Sequence, residues 1–283
     1  MSDIFAGQAA EPERLAELYD LEHDELRDDL DFWRELARRH PGPTLDAGCG
    51  SGRLFAALLA GGASPLVGVD GSADLLTRAE RRIAADPRLA AAAAAGRLRV
   101  LHGDVRALGA TIPPRTAFGL VVIAGVVPHL EGPEEGVQLL EGAEGVLAPG
   151  GRIVVDTLGP AELPQRDLPL SVDWERDTPD GHVVRRSQLT RREAPDGLHV
   201  AYATITDTVQ ADGTIARLPA SFRLWYPSGT ALVGIVEAAG LTVELTWGSY
   251  ELDPFDPLDS ERHIVVARRR DEADEMPARK TGR

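Results

Sequence analysis

The spacing of apolar residues changes along this chain, and each change predicts a different kind of structure. In residues 10–40, apolar side chains such as Leu26, Leu30 and Trp33 recur every three or four positions, with charged residues between them. This spacing puts apolar side chains on one face of a helix. The pattern predicts helices that end before Pro41, because proline cannot continue a helix.

From residue 43, short runs of Val, Ile and Leu alternate with amphipathic segments. Strands are predicted at 44–47, 66–70, 98–102, 120–124 and 152–157, with helices at 54–59, 74–85 and 134–146 between them. Strands that are apolar on both faces and alternate with helices are typical of a parallel sheet covered on both sides. The pattern therefore predicts a doubly wound α/β domain.

After Leu158 this alternation stops. Residues 160–180 contain several prolines and are predicted to be a connecting segment. From 182 to 226 apolar and polar residues alternate, and Asp-Gly pairs at 196–197 and 212–213 interrupt the runs, which predicts an antiparallel insertion of three or four strands. The α/β pattern then resumes with a helix at 230–239 and strands at 241–247 and 263–268.

These patterns divide the chain into five predicted parts. They are an N-terminal helical cap (1–40), a Rossmann-like core (41–160), an antiparallel β insertion (161–227), the completion of the core sheet (228–270) and a frayed tail (271–283). The predicted fold class is thus α/β, a seven-stranded doubly wound sheet with a β insertion and N-terminal helices.

Composition narrows the function classes. The 283 residues are 43% hydrophobic and 27% charged, as in an ordinary globular protein, and the acidic start differs from a signal peptide. A net charge of −15 disfavours nucleic-acid binding, because the protein repels polyanions. Cys49 is the only cysteine, so the chain cannot form an internal disulfide or a multi-thiolate metal site. We expect a cytoplasmic protein that neither spans a membrane nor binds nucleic acid.

The segment Asp46-Ala-Gly-Cys-Gly-Ser-Gly-Arg-Leu54 carries the clearest chemical signal. A predicted strand enters three alternate glycines, and a helix follows. Glycines let the backbone touch a ligand, and the helix start offers free N–H groups. The next strand ends at Asp70, which can accept hydrogen bonds from ribose hydroxyls. Dinucleotide sites instead use G-x-G-x-x-G, and Asp46 would repel a pyrophosphate. The loop therefore favours a cationic nucleoside.

Four segments in order, DAGCGSGRL, VGVDGS, LHGDV and LAPGGRIVV, resemble the class I S-adenosylmethionine (SAM)-dependent methyltransferases. The resemblance covers about residues 43–157, and it implies a seven-stranded sheet in which only the last strand in sequence is reversed. It also implies SAM as the cofactor. The residues that it places around SAM are Tyr19, Asp46, Gly48, Cys49, Gly50, Asp70, Gly71, Ser72, Asp104, Val105, Ala124 and Gly125.

The resemblance implies specific roles for some of these residues. Asp46 is expected near the SAM amino group, Asp70 on the ribose hydroxyls, and Asp104 at the adenine amino group. Tyr19 is expected to close over the SAM carboxylate. Plainer roles remain open at this stage: Asp104 as a turn cap, Tyr19 as helix core, and Cys49 as a small packing residue.

The methyl acceptor has to be inferred from the residues after the fourth strand and around the insertion. No carboxylate occurs between Ala124 and Leu130, so a metal-assisted mechanism is not expected. His129 is the predicted proton acceptor or orienting group, with a structural role as the alternative. Arg223, and Trp225 with Tyr226, are further candidates for binding a carboxylate and an amine, although they could equally pack on the sheet.

The favoured acceptor is an amine of a small metabolite or a peptide terminus, as in the tailoring of bacterial secondary metabolites. The insertion resembles the lid of several N-methyltransferases, and residues 1–40 hold 12 acids against 5 arginines, which would attract an ammonium group. Two alternatives remain: O-methylation of a carboxylate or phenol with His129 as base, and a non-catalytic SAM-binding scaffold. A dehydrogenase is a more distant alternative. The chain is compatible with a monomer or a homodimer.

Overall fold

The computed structural model describes residues 11–179 and 181–270. Helices α1 (Pro12–His23) and α2 (Leu30–Arg39) come first. The elements that follow are β1 (Gly42–Ala47), α3 (Phe55–Gly61), β2 (Ala63–Asp70), α4 (Ala73–Ala85), α5 (Pro87–Ala94), β3 (Leu98–His102), α6 (Leu108–Thr111), β4 (Phe118–Ala124), α7 (Pro133–Gly145) and β5 (Leu147–Leu158). The chain then continues through β6 (Leu168–Thr178), β7 (Gly181–Ala194), β8 (Gly197–Val209), β9 (Ile215–Pro227), α8 (Gly229–Ala238), β10 (Leu241–Trp247) and β11 (Arg262–Arg269).

Seven strands form the main sheet, in the order β10-β11-β5-β4-β1-β2-β3. Strand β11 is antiparallel to both of its neighbours, whereas β1 to β5 pair in parallel. The predicted doubly wound sheet, reversed only at its last strand in sequence, is therefore confirmed. In such a sheet the loops after β1, β2, β3 and β4 leave the same edge, which is where ligands bind in open α/β folds.

Both faces of this sheet are buried, as the apolar strands predicted. Alternate residues of β4 point to opposite layers: Ile123 joins a core with α7 and α8, and Val122 joins a core with α2 and α3. Trp33 and Phe55 on the second face are fully buried. The strand ends that carry the polar residues are therefore held between two packed layers.

The β insertion is a separate antiparallel sheet in the order β6-β7-β8-β9, which we call the lid sheet. The predicted turns at 196–197 and 212–213 connect its last three strands. The prediction of a connecting segment over 160–180 was wrong, since β6 occupies Leu168–Thr178. This strand lies at the sheet edge and contains Pro169, which has no N–H to donate to a partner strand, and its pairing with β7 is interrupted by register shifts. The proline and the irregular pairing go with a weak alternation of apolar and polar residues, so the sequence pattern did not predict this strand.

Helix α1 lies between the lid sheet and the main domain. Its apolar face, including Leu15 and Leu18, packs with Leu75 of α4 and Leu218 of β9. Ion pairs join Asp20 to Arg78 and Arg82 of α4. On the other side, Glu22 pairs with Arg185 of β7, and the Trp174 indole donates to Glu22 at 3.3 Å. The helix is thereby fixed beside the ends of β1 and β2.

Candidate active site

The glycine loop after β1 turns across the end of β2. The backbone N–H groups of Gly48 and Cys49 both donate to the Val69 carbonyl, at 2.7 and 3.0 Å. Gly48 has a φ of +83°, and a Cβ there would lie 2.2 Å from Val126 Cγ2. Position 48 therefore requires glycine both for its backbone conformation and for its contact with the segment after β4.

Asp70 holds the same loop from the next strand. Its Oδ2 accepts a hydrogen bond from the Gly50 N–H at 2.8 Å, and its Oδ1 accepts from the Ser72 N–H at 2.8 Å. The residue is buried, with 4% of its surface exposed. Each carboxylate oxygen has two lone pairs, so a carboxylate can accept more than one hydrogen bond at each oxygen.

Asp46 is the clearest sign that a ligand belongs here. The residue is 2% exposed, and its Oδ2 has no hydrogen-bond partner within residues 11–179 and 181–270. Burial raises the pKa of Asp46 to about 7, with a further contribution from the Asp70 charge, while Arg53 opposes the shift. A buried acceptor without a partner is costly unless something binds it. A cationic ammonium group such as that of SAM fits this position.

The ends of β2 and β3 carry the residues expected around adenine. Gly103 N–H donates to the Asp70 carbonyl at 2.9 Å, which brings the two strand ends together. Ser72 is fully buried and its hydroxyl caps α4, and Val105 is fully buried in the core. Gly71 is buried, and its carbonyl lies 3.0 Å from His102 Nε2. The Ser72 and Val105 side chains thus have packing or capping roles.

Asp104 makes an ion pair and caps a turn. Its carboxylate accepts from the Arg106 N–H at 2.9 Å and pairs with the Arg106 guanidinium at 2.9 Å, and Arg106 also pairs with Glu135 of α7. The plainer role that the sequence left open, a turn cap, is therefore present. Any contact of Asp104 with adenine would add to this ion pair.

Cys49 is a packing residue in this structure. It is 8% exposed and contacts the second core layer beside Phe55. Burial raises the pKa of its thiol well above the usual value, and the neighbouring Asp46 and Asp70 charges add to the shift. A neutral, buried thiol is a poor nucleophile.

His129 lies just after β4, at the end of a 3-10 turn (Val127–His129) that contacts strand β9. Burial lowers the pKa of His129 to about 4, and the nearby His23 contributes to the shift. Its imidazole is therefore neutral at physiological pH. Ala124 and the exposed Gly125 precede it, and the Gly125 N–H donates to the Asp156 carbonyl at 2.9 Å.

Tyr19 reaches the glycine loop from α1. Its hydroxyl lies 3.7 Å from the position that a Cβ on Gly50 would occupy. Burial raises the pKa of Tyr19 to about 12, and the Asp70 charge adds to the shift, so the phenol stays protonated. Its ring stacks on His23, with ring centroids 3.9 Å apart and an interplanar angle of 17°.

The remaining predicted site residues lie on two different faces of the lid sheet. Tyr226 and Phe222 lie on the face that packs toward Tyr19, and burial raises the pKa of Tyr226 to about 12. Trp225 and Arg223 lie on the opposite face, because β9 pairs with β8 without interruption and its side chains alternate. The expected use of Arg223 and Trp225 with Tyr226 is therefore corrected: these residues are not brought together.

The face of β9 that carries Trp225 and Arg223 points away from Tyr19. Trp225 is 1% exposed, packs toward α7, and donates its indole N–H to the Asp196 carbonyl at 3.3 Å. Arg223 is exposed. Trp225 thus anchors the lid sheet to the main domain instead of facing an acceptor.

Several residues near the site were not predicted from the sequence. Arg53 pairs with Asp29 at 2.6 Å and donates to the Leu26 carbonyl at 3.0 Å, which joins the glycine loop to the segment before α2. Asp156 at the end of β5 is buried and accepts from Tyr250 at 3.0 Å and from Arg262 at 2.7 Å. Such long-range pairs leave no local pattern.

His23 is different, because a signal for it exists in the sequence. It follows Tyr19 by four positions on one helix, so the two residues share a face. Once Tyr19 is expected at the cofactor, the next turn of the same face is also expected near it.

The described part of the chain lacks two features, a cluster of metal-binding side chains and a membrane-spanning helix. No group of three or more His, Cys, Asp and Glu residues in 11–179 and 181–270 is arranged to hold a metal ion. Among the same residues, none of the helices is both long enough and apolar enough to cross a membrane.

Both the sequence and the fold of this chain are similar to those of known proteins. Residues 44–151 match the family model described as a methyltransferase domain. No curated protein sequence matches the chain. A similar solved structure is the CcbJ methyltransferase from Streptomyces caelestis, with 24% identity, a TM-score of 0.69, and coverage of 90% of this chain and 96% of that one.

Two further structures show the same fold at lower identity. The sugar N-methyltransferase KedS8 from Streptoalloteichus sp. is 19% identical, with a TM-score of 0.66 and coverage of 90% of this chain and 92% of that one. SAM-bound CalS10 from Micromonospora echinaspora, an amino pentose methyltransferase, is 19% identical, with a TM-score of 0.63 and coverage of 89% and 97%.

Residues 44–151 thus match a methyltransferase domain, and the main sheet has seven strands of which only the last in sequence is reversed, as the resemblance implied. The chain thus contains a methyltransferase domain over residues 44–151, as the resemblance implied, and shares its fold with SAM-bound CalS10.

Proposed function

We propose that this enzyme methylates an amine of a small metabolite or of a peptide terminus, without a metal ion. The observation that carries the proposal is the composition of the surfaces that converge on His129. They present a neutral imidazole, the phenol of Tyr19 and the aromatic inner face of the lid sheet. Aromatic faces attract ammonium groups, and a neutral imidazole can receive a proton.

The residues around the glycine loop would hold SAM as follows. Asp46 pairs with the ammonium group, and Asp70 accepts hydrogen bonds from the ribose hydroxyls while it holds Gly50. Tyr19 donates its hydroxyl to the carboxylate. The other predicted cofactor contacts are Gly48, Cys49, Gly50, Gly71, Ser72, Asp104, Val105, Ala124 and Gly125, which for Cys49, Ser72 and Val105 would be made through the backbone.

When bound, SAM supplies an activated methyl group on a positively charged sulfur. The contribution of the protein is then mainly to position the acceptor in line with that methyl group and to exclude water. His129 and Tyr226 are the proposed acceptor-side residues, because the 3-10 turn of His129 contacts β9, the strand that carries Tyr226. Similar structures named sugar N-methyltransferase and amino pentose methyltransferase support an amine as acceptor.

Matched probes test the proposal. D-Glucosamine is paired with D-glucose, and trileucine is paired with N-acetyl-trileucine, so that each pair differs in its free amine. Formation of S-adenosylhomocysteine (SAH) is measured with each compound, and mass spectrometry locates the methyl group. Methylation of the amine member alone supports the proposal, whereas methylation on oxygen alone contradicts it.

Two other functions correspond to distinct results of the same experiment. O-methylation of a carboxylate with His129 as base would place the methyl group on the terminal carboxylate of N-acetyl-trileucine. A non-catalytic SAM-binding protein would bind SAM in a calorimeter and form no SAH with any probe.

A further inference from the structure

The imidazoles of His23 and His129 are near neighbours, since the presence of His23 helps to lower the pKa of His129, and only the His23 ring has a proton fixed by a hydrogen bond. His23 Nδ1 lies 2.8 Å from the Tyr19 carbonyl oxygen. A carbonyl oxygen only accepts hydrogen bonds, so Nδ1 of the neutral ring carries the hydrogen and Nε2 keeps its lone pair. The stacking on Tyr19, at 3.9 Å and 17°, fixes the plane of the ring as well. His23 is thus a preorganised hydrogen-bond acceptor.

His129 lacks this support. Its ring makes no hydrogen bond with the residues that the structure describes, and burial lowers its pKa to about 4. Burial also lowers the pKa of His23, but the Tyr19 carbonyl bond and the charges of Asp20 and Asp24 oppose that effect. The Tyr19 carbonyl and the two carboxylates thus favour the protonated form of His23, whereas burial and His23 both disfavour that of His129.

We propose that Nε2 of His23 accepts the proton that the ammonium group of the acceptor loses before methyl transfer, with His129 as the neutral neighbour that orients the amine. The inference rests on the proposed amine acceptor and adds a residue to it. Helix α1 places His23 one turn beyond Tyr19, close enough to His129 to help lower the pKa of that imidazole and close enough to Arg53 of the glycine loop to be affected by its charge.

The step balances as follows. An N–H bond of the ammonium group breaks, its electron pair stays on nitrogen, and the proton binds His23 Nε2. The freed lone pair bonds to the methyl carbon while the carbon–sulfur pair moves to sulfur, which leaves SAH and a methylated ammonium product. The imidazolium then gives its proton to water. An amine needs this assistance because an α-amino group, with a pKa of about 8, is mostly protonated at pH 7.

The charges around His23 suit a transient imidazolium. On its own helix, Asp20 and Asp24 favour the charged ring, although Arg78 and Arg82 of α4 partly neutralise them. From the glycine loop Arg53 opposes the charge, but it is itself paired with Asp29 at 2.6 Å. In the turn Val127–His129 after β4, the titratable group is His129, which is neutral.

A pH series with His23→Asn tests the proposal. The asparagine amide can still donate to the Tyr19 carbonyl, but it lacks Nε2. The matched control is His40→Asn: His40 ends α2, burial also lowers its pKa, and its charged neighbours include Arg152 and Glu244. Turnover is measured with trileucine or D-glucosamine, whichever the wild-type enzyme methylates, together with SAM affinity and thermal unfolding.

At pH 7 we expect His23→Asn to lower kcat by about tenfold, because only about a tenth of an α-amino group of pKa about 8 is deprotonated there. At pH 9.5, where the same group is almost fully deprotonated, kcat should lie within about twofold of the wild-type value. SAM affinity and the His40→Asn profile should match the wild type. A His23→Asn profile parallel to the wild-type profile at every pH overturns the role of His23 and leaves the amine acceptor standing.

A second measurement needs no acceptor. Nitrogen-15 NMR of the histidine rings in the wild-type protein with SAH reports which ring nitrogen holds hydrogen. We expect His23 to carry it on Nδ1, with Nε2 unprotonated at pH 7. Hydrogen on Nε2 in the neutral ring overturns the proposal, and methylation of hydroxyl probes alone overturns the proposed function and this step together.

Discussion

Asp70 Oδ2 accepts a hydrogen bond from the backbone N–H of Gly50 at 2.8 Å, and so joins the end of β2 to the glycine loop 20 residues earlier. The same carboxylate accepts from Ser72 at the start of α4. One side chain thus fixes the loop and the next helix start, and under the proposed function it also faces the ribose. Loss of Asp70 is therefore expected to affect both loop order and cofactor affinity.

Asp70→Ala should weaken SAM binding by about 1–3 kcal/mol, the cost of leaving hydrogen bonds unmade in a buried site. Calorimetry with SAM measures the change, and Glu80→Ala, at an exposed position on α4, is the control. Wild-type affinity in Asp70→Ala would show that the ribose lies elsewhere.

Gly48→Ala should disrupt the glycine loop. The positive φ alone costs a non-glycine residue about 1–2 kcal/mol, and the added Cβ would meet Val126 at 2.2 Å. Gly145→Ala is the matched control, because that glycine has no atom within 4 Å of a Cβ and no positive φ. We expect lost SAM binding and a lower unfolding temperature only for Gly48→Ala. Equal behaviour of both variants would contradict the geometry of the loop.

Local signals predicted the main domain and the glycine loop because both depend on short-range patterns. Apolar runs fixed the buried strands, and three alternate glycines between a strand and a helix marked the turn. The Asp-Gly turns likewise marked two hairpins of the lid sheet. Strand β6 escaped prediction because Pro169 and its register shifts break the alternation on which strand prediction depends.

The acceptor side was harder to predict because it is assembled from distant segments. The Asp156–Arg262 pair spans 106 residues, and the Arg53–Asp29 pair joins the glycine loop to the segment before α2. The sequence also could not show which face of β9 points inward. The uninterrupted pairing with β8 shows that no bulge breaks the alternation, so Arg223 and Tyr226 lie on opposite faces.

Asp46→Asn should reveal a conflict between stability and binding. The folded-state pKa of Asp46, about 7, lies above the usual aspartate value of 3.8, so the folded protein holds this proton more tightly than the unfolded chain. The wild-type protein therefore loses stability as pH rises from about 4 to 7, and the loss is complete above pH 7. The stability advantage of Asp46→Asn without SAM should grow over the same range in urea unfolding.

The same ionisation should govern SAM affinity. Asp46 pairs with the SAM ammonium only when it is deprotonated, so wild-type affinity should rise between about pH 5.5 and 8. Asp46→Asn should bind more weakly and lose this dependence. Calorimetry across this range measures both, and equal pH profiles for the two proteins would contradict the pairing.

His129→Ala should reduce turnover more than cofactor affinity. Loss of one transition-state hydrogen bond of about 1.4 kcal/mol lowers kcat by about tenfold. SAM affinity should remain within about twofold, because His129 lies beyond the glycine loop. Because the pKa of His129 is about 4, its titration should not appear in the rate between pH 6 and 9. Wild-type kcat in the variant would assign His129 a structural role.

The two faces of the lid sheet should respond differently to substitution. Tyr226→Ala removes a side chain from the inner face and should raise the KM for the amine probe by about five- to tenfold, equivalent to about 1 kcal/mol of lost contact. Arg223→Ala, on the exposed outer face, should leave KM and kcat near the wild-type values. A larger effect of Arg223→Ala than of Tyr226→Ala would contradict the register of β9.

A crystal structure with SAH bound tests the proposed site most directly. We predict that the ribose hydroxyls contact Asp70, that the amino group lies against Oδ2 of Asp46, and that the sulfur points toward the turn carrying His129. Density for the nucleoside at another place, or an Asp46 Oδ2 still without a partner, would contradict it.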